Sequence, residues 1–131
     1  MAEGNTDQHG ADPEGRTRRL KALRRGYLSE YLAALSLMLR GHRILALRYK
    51  VKAGEIDIIA RKGDLVSFIE VKARATSLDS VFAVNGLTQS RIRNASLHWL
   101  KGQKDAGRLS LSYDIIAVRP WRWPVHFRDA Y

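Results

Sequence analysis

The sequence predicts an α/β domain in which a central mixed sheet of four or five strands is flanked by α-helices. Three observations carry this. Helical periodicity runs through residues 26–40 and again through 88–101. Four strand-like runs rich in Ile, Val and Leu lie at 44–51, 55–62, 65–74 and 109–118. Two of these runs are joined by Gly63-Asp64, a dipeptide suited to a two-residue hairpin turn. With 131 residues the chain has room for one domain, and 45% hydrophobic residues suffice for a packed core.

Taken in order, residues 1–15 are polar and read as a disordered tail, leaving 16–131 as a single domain. Six of the ten residues from Arg16 to Arg25 are basic, which fits a solvated helix start and a phosphate-gripping arm equally well. The first helix spans Gly26 to Arg40, with Gly41 as its stop. At 100° per residue Ser29, Ser36 and Arg40 form a polar stripe. Glu30 lies away from it, among Tyr27, Ala33, Ala34 and Leu37, so one acid sits on a face that otherwise looks buried. Strands follow from Ile44 to Val51, Glu55 to Lys62 and Leu65 to Arg74, with Thr76 to Gly86 irregular. The second helix, Thr88 to Lys101, turns Ile92, Ala95 and Trp99 inward and leaves Arg91 and Arg93 to solvent. Leu109 to Val118 is a fourth strand, and Val125 to Ala130 a final edge strand.

Composition narrows the function classes. No apolar run approaches the ~18 residues that span a bilayer, and the first fifteen residues lack the apolar stretch of a signal peptide. Zero cysteines exclude disulfides, thiolate zinc sites and a cysteine nucleophile, so a cytoplasmic protein is expected. A net charge of +10 favours a polyanionic partner, because each phosphate contact releases condensed counterions.

The hairpin carries the chemistry. If Gly63 and Asp64 form the loop, paired positions sum to 127, placing Asp57 opposite Glu70 and Glu55 opposite Lys72. One face then holds Ile56, Ile58, Ile69 and Val71, and the other holds the three acids and the lysine. Two carboxylates facing each other across strands repel by about 3 kcal/mol at ~5 Å and an effective dielectric near 20. A divalent cation would satisfy both, and Mg²⁺ (or Mn²⁺) is commonly held by one or two carboxylates with water and substrate phosphate. Lys72 could then orient water and neutralise phosphate charge. The competing reading is a plain Glu55–Lys72 ion pair beside exposed acids. Glu30, a third acid in an apolar sector, weighs against it.

The segments Gly54-Glu55-Ile56-Asp57-Ile58-Ile59-Ala60 and Phe68-Ile69-Glu70-Val71-Lys72-Ala73-Arg74 resemble the YraN family of bacterial proteins classed with endonucleases. That family is similar to the archaeal Holliday-junction resolvases and to the PD-(D/E)XK nucleases. The likeness extends to Gly26 through Glu30, Tyr113 through Val118 and Asp129-Ala130-Tyr131, covering about residues 24–131. It implies a restriction-endonuclease-like fold and hydrolysis of DNA, including branched DNA, with Mg²⁺ or Mn²⁺. By position it makes Asp57 and Glu70 metal ligands with the backbone carbonyl of Val71, Lys72 the catalytic lysine and Glu30 the helix-borne acid. Gln89 becomes a polar residue beside the site. A resolvase-like activity on symmetric junctions would call for a homodimer. Departures from the family pattern are Thr88 and Ser112, where lysine and arginine are usual, and a short loop at 76–84 without its glycine. The other function classes are a nucleic-acid-binding module with a relic site and a basic structural or interaction protein. Neither has a use for the acids.

The remaining candidates are weaker. Asp114 reads either as a residue supporting the site or as a buried structural acid. Arg48, Lys50 and Arg74 are candidate phosphate contacts. Trp121 and Trp123, bracketed by Pro120 and Pro124, are expected as lids on the core in preference to base-stacking platforms. His9, His42, His98 and His126 lack ligand spacing and are expected at the surface or its boundary.

Overall fold

A computed structural model describes residues 13–73 and 86–131, with only the backbone described at 22–25. Helix α1 (Pro13–Leu39) is followed by strands β1 (Arg43–Val51), β2 (Gly54–Lys62) and β3 (Leu65–Ala73). Helix α2 (Gly86–Lys101), a 3₁₀ turn at Ala106–Arg108, β4 (Ser110–Val118) and β5 (Val125–Phe127) complete the chain. The strands form one sheet in the order β1-β2-β3-β4-β5. Its β3–β4 pair is parallel and the other pairs are antiparallel, so the sheet is mixed as expected. A parallel pair needs a long crossover, and α2 lies within it.

Helix α1 starts at Pro13 and not near Gly26, so the basic stretch from Arg16 is helical and three residues of the expected tail belong to it. Proline is favoured in the first turn of a helix, where its missing N–H costs nothing. The helix stops where the sequence says it should. Gly41 takes φ +91°, the His42 N–H reaches Leu37 O and the Gly41 N–H reaches Met38 O, a paired closure that needs the left-handed residue.

The hairpin register is the expected one, from Lys62↔Leu65 to Ile58↔Ile69, and Gly63 supplies the turn with φ +62°. Two apolar layers cover the sheet. On the α1 side Ala33, Ala34 and Leu37 pack on Ile58, Ala60, Ile69, Ile116 and Val118. On the α2 side Ile92, Ala95 and Trp99 pack on Ile59, Val66 and Phe68.

One expectation about the faces fails. Ile56 does not follow Ile58 to the α1 side but packs with Ile59, Ile92 and Ala95. The alternation also breaks in β1, where Leu47 packs toward α1 and Tyr49 toward α2. Between the Leu47↔Ile58 and Tyr49↔Ile56 pairs sits Arg48, with φ +52°. A left-handed residue inside a strand reverses the order of faces, and it costs about 1–3 kcal/mol in a non-glycine residue. The distortion falls beside Asp57.

The chain terminus is tied down by a buried acid. Asp114 is fully buried. It accepts hydrogen bonds from Ser112 Oγ, from the Asp129 N–H (2.9 Å) and from His126 Nε2 (2.7 Å). Arg40 Nη2 lies 3.1 Å from the other ring nitrogen, Nδ1, so the imidazole bridges Arg40 and Asp114. Burial raises the Asp114 carboxyl, but the His126, Ser112 and Asp129 hydrogen bonds outweigh it and hold the group below the ordinary carboxylate range. His126 is thus inside the protein, and so is His42, whose Nδ1–H donates to Leu37 O (3.2 Å). Both were expected at the surface or its boundary; His126 is half-buried with its ring inside, and His42 is buried, held by the helix end.

Candidate active site

The active-site candidates meet where the β2–β3 ladder ends. Beyond Ile58↔Ile69 the next residues are Asp57 on β2 and Glu70 on β3. Here a side chain takes over from the backbone: Asp57 Oδ2 accepts the Val71 N–H at 2.8 Å. That bond fixes the carboxylate at the strand edge and ties it to the strand carrying Glu70 and Lys72. Lys72 Nζ lies 3.7 Å from Glu70 Oε1. The other oxygen, Glu70 Oε2, is buried and has no hydrogen-bond partner among the described residues. A buried carboxylate oxygen left without a donor is costly, which points to a cation or bound water at that position.

Electrostatics agree. Burial pushes the Asp57 carboxyl up, the Val71 N–H opposes the rise and the charge of Glu55 adds to it. Glu70 is also raised by burial, opposed by Lys72 and reinforced by Asp57. Glu30, on α1, is raised by burial and then by Asp57, and lowered by Arg48. The three acids are therefore coupled, with Asp57 common to all, and without a cation each resists ionisation.

The flanking residues are arranged as follows. Arg48 NH1 donates to Glu30 Oε2 (2.9 Å), and its guanidinium lies 4.0 Å from the Tyr27 ring centroid. The left-handed Arg48 backbone thus brings a cation against the helix-borne acid. Glu55 does not pair with Lys72; its partner is the exposed Lys50, at 4.0 Å. The plain cross-strand ion pair is absent, and Lys72 is turned toward Glu70. Arg74 lies outside the described residues.

A cavity of about 280 Å³ opens on this cluster, lined by Glu55, Asp57 and Glu70 from the sheet and by Leu87, Thr88, Arg91 and Ile92 from α2. Arg91 is exposed, as expected, and it also lines this cavity from the α2 side. The helix can come this close because Gly54 has no side chain: a Cβ there would lie 2.0 Å from the Arg91 carbonyl oxygen. Gln89 is on the same helix turn but outside the cavity lining, and Asp114 serves the terminus. Tyr131 is a residue that sequence reasoning passed over as a site member. Its hydroxyl is buried without a partner among the described residues, and burial, then the charges of Glu70 and Asp57, raise its phenol.

Among the described residues no group of three or more His, Cys, Asp or Glu side chains is arranged to hold a metal. Two carboxylates with a partnerless oxygen still fit a hexacoordinate Mg²⁺ or Mn²⁺ that takes its other ligands from water and phosphate. They do not fit zinc, which asks for three or four protein ligands, usually including histidine or cysteine.

Comparison with known proteins gives a consistent family match. The profile of "Uncharacterised protein family UPF0102" matches residues 29–118. A UPF0102 protein of Rhizobium meliloti (strain 1021) is 61% identical over 115 residues, covering 88% of this chain and 94% of that protein. One from Sinorhizobium medicae (strain WSM419) is 59% identical over 113 residues, covering 86% and 93%. One from Mesorhizobium japonicum is 52% identical over 113 residues, covering 86% and 90%.

Proposed function

Since the chain belongs to the UPF0102 family, also called YraN, whose description assigns no activity, we propose from its own residues that it is a metal-dependent endonuclease. Its reaction is the hydrolysis of DNA phosphodiester bonds at the Asp57–Glu70–Lys72 cluster. The observation that carries this reading is the buried Glu70 Oε2, partnerless beside a second raised carboxylate and a lysine. A folded protein gains nothing from such a grouping unless something positive binds there.

Asp57, Glu70 and the backbone carbonyl of Val71 would hold Mg²⁺ or Mn²⁺. Such an ion neutralises the scissile phosphate and acidifies water when bound. The chain's own residues do the rest. The Val71 N–H holds the Asp57 carboxylate in place, so little reorganisation is needed when phosphate arrives. Lys72 supplies a mobile cation next to Glu70, able to follow charge as it develops on the phosphate. Arg91 and the first turn of α2 present a guanidinium and a positive helix end across the cavity. Glu30, whose carboxylate Arg48 holds, would accept a proton from water. Arg48 and Lys50 extend the basic surface along β1 for the DNA backbone.

Among the described residues no helix is long and apolar enough to cross a membrane. We propose a cytoplasmic location, where cellular DNA is accessible, and expect a homodimer wherever the target is a symmetric junction. A pure binding module is disfavoured because uncompensated acids at the mouth of the cavity would repel phosphate.

The test is cleavage of end-labelled four-way-junction, flap, linear duplex and single-stranded DNA with Mg²⁺, with Mn²⁺ and with EDTA. Cutting of at least one substrate, abolished by EDTA, is expected. Binding without cutting under every condition would favour the relic-site module instead.

A further inference from the structure

A second concave surface lies on the α1 side, at the ends of β3 and β4. It encloses about 580 Å³ between Leu28 and Leu32 of α1, the end of β3 at Ala73, and the loop that follows β4. Ala73 is the residue after Lys72, and Leu28 and Leu32 flank Glu30 along the helix. The groove thus opens at the end of the strand that carries Lys72, and it shares no lining residue with the cavity on the α2 side.

The loop contradicts what its composition led us to expect. Trp121 is 102% exposed and Trp123 58% exposed, so neither is a lid on the core. Arg119 and Arg122 alternate with them, and the Arg122 N–H closes a turn on Arg119 O at 3.3 Å. Trp121 holds φ +61°, a left-handed conformation that is unusual for a bulky side chain. Strained backbone and an indole standing in water both lower stability. A fold that keeps both points to a use for the exposed ring.

Charge identifies the occupant. The groove lining contains two arginines and no carboxylate. A second copy of this chain seated there would bring like charges together. A nucleic-acid strand supplies phosphates for Arg119 and Arg122 and flat bases for Trp121 and Trp123. Aromatic rings interleaved with cations are the usual platform for single strands, because every base has a π-face. Base-paired DNA keeps its bases stacked inside and cannot use such a platform.

We propose that the groove formed by Leu28, Leu32 and the Arg119–Trp123 loop is a binding site for unpaired nucleotides. It would make the enzyme favour DNA that carries a single-stranded segment, such as a flap or splayed arm. The proposal rests on the nuclease reading for its place in catalysis, but its binding test does not.

The experiment is fluorescence anisotropy of a labelled twelve-nucleotide oligo-dT and a twelve-base-pair duplex with the full chain in EDTA. Wild type is compared with Trp121→Ala/Trp123→Ala and Trp121→Phe/Trp123→Phe, with sedimentation velocity of each protein alongside. Because both indoles are exposed, the alanine variant should keep its thermal midpoint. It should lose about 10–100-fold in oligo-dT affinity, within the range expected for the stacking of one base, with duplex affinity unchanged. The phenylalanine variant should recover most of the loss. Equal oligo-dT affinity in wild type and alanine variant would overturn the proposal. So would an equal loss on duplex and oligo-dT, or a change from dimer to monomer with oligo-dT affinity retained. As no metal is present, a protein that never cuts DNA can still pass this test. A nuclease that ignores the two tryptophans fails it while its activity stands.

Discussion

Asp57→Asn and Glu70→Gln should each lower metal-dependent DNA cleavage by about a thousandfold or more, while raising the thermal midpoint of the metal-free protein. The loss follows from removing half of the anionic ligand set for the cation. The gain follows from the raised carboxyl groups, and its sign can be worked out. In the unfolded chain Asp57 and Glu70 ionise at their ordinary values; in the folded chain burial lifts both, with the charge of Glu55 adding to Asp57 and that of Asp57 to Glu70. At pH 7 their ionised forms are therefore disfavoured by folding, and the wild type bears the full penalty. As pH falls through the raised values toward the ordinary carboxylate range, the folded state binds protons first and the penalty shrinks. An amide never carries the penalty. The Asp57→Asn side chain would keep an oxygen for the Val71 N–H, so the variant should be more stable by about 1 kcal/mol, or about 3–6 °C in a domain of this size. The gap should close on acidification and also on adding Mn²⁺, which stabilises only the wild type. Thermal unfolding from pH 5 to 8, run beside the cleavage assay, measures both arms. Variants that lose stability at pH 7 would mean that the acids are structural.

Gly54→Ala should be among the most destabilising single-methyl additions in this protein. The new Cβ would sit 2.0 Å from the Arg91 carbonyl oxygen and 2.7 Å from its carbon, both helix backbone. Neither atom can rotate away, so α2 must lift from β2, carrying Thr88, Arg91 and Ile92 with it. Overpacking of this kind against immovable atoms costs about 3 kcal/mol or more. Gly26→Ala is the matching control. Gly26 lies within α1 with nothing within 4 Å of a built Cβ, so alanine should add about 0.5–1 kcal/mol through helix propensity. Opposite shifts in denaturant midpoint are expected. A Gly54→Ala protein as stable as wild type would mean that α2 does not pack as described.

The features legible in sequence were those set by local rules. Gly63 and Gly41 sit at the left-handed positions that a hairpin and a helix end demand, and the register of Ile58 and Ile69 follows from the turn. Glu30 stood out because an acid on an apolar helix face needs a reason, and it lies within the field of Asp57. What was missed depends on distant contacts or on conformation that side-chain pattern does not encode. The reversal of faces at Ile56 lies across from the left-handed Arg48 of the neighbouring strand, and no alternation rule foresees either. The N-terminal half of α1 has no apolar stripe to read, so its extension to Pro13 went unseen. His126 is inside because Asp114 and Arg40 receive it, and those residues are far from it in the chain. Hydrophobicity alone sends Trp121 and Trp123 to the core, and the loop geometry holds them in water. Arg91 reaches the cavity only because Gly54, far earlier in the chain, lets its helix approach.

The most direct test of the acidic cluster is Mn²⁺ binding to the full chain at pH 7.5, followed by electron paramagnetic resonance of the free ion. At least one Mn²⁺ per chain is expected in the millimolar range or tighter, lost in both Asp57→Asn and Glu70→Gln while folding is retained. Equal binding by wild type and variants, or no binding by any, would contradict the assignment of Asp57 and Glu70 as metal ligands.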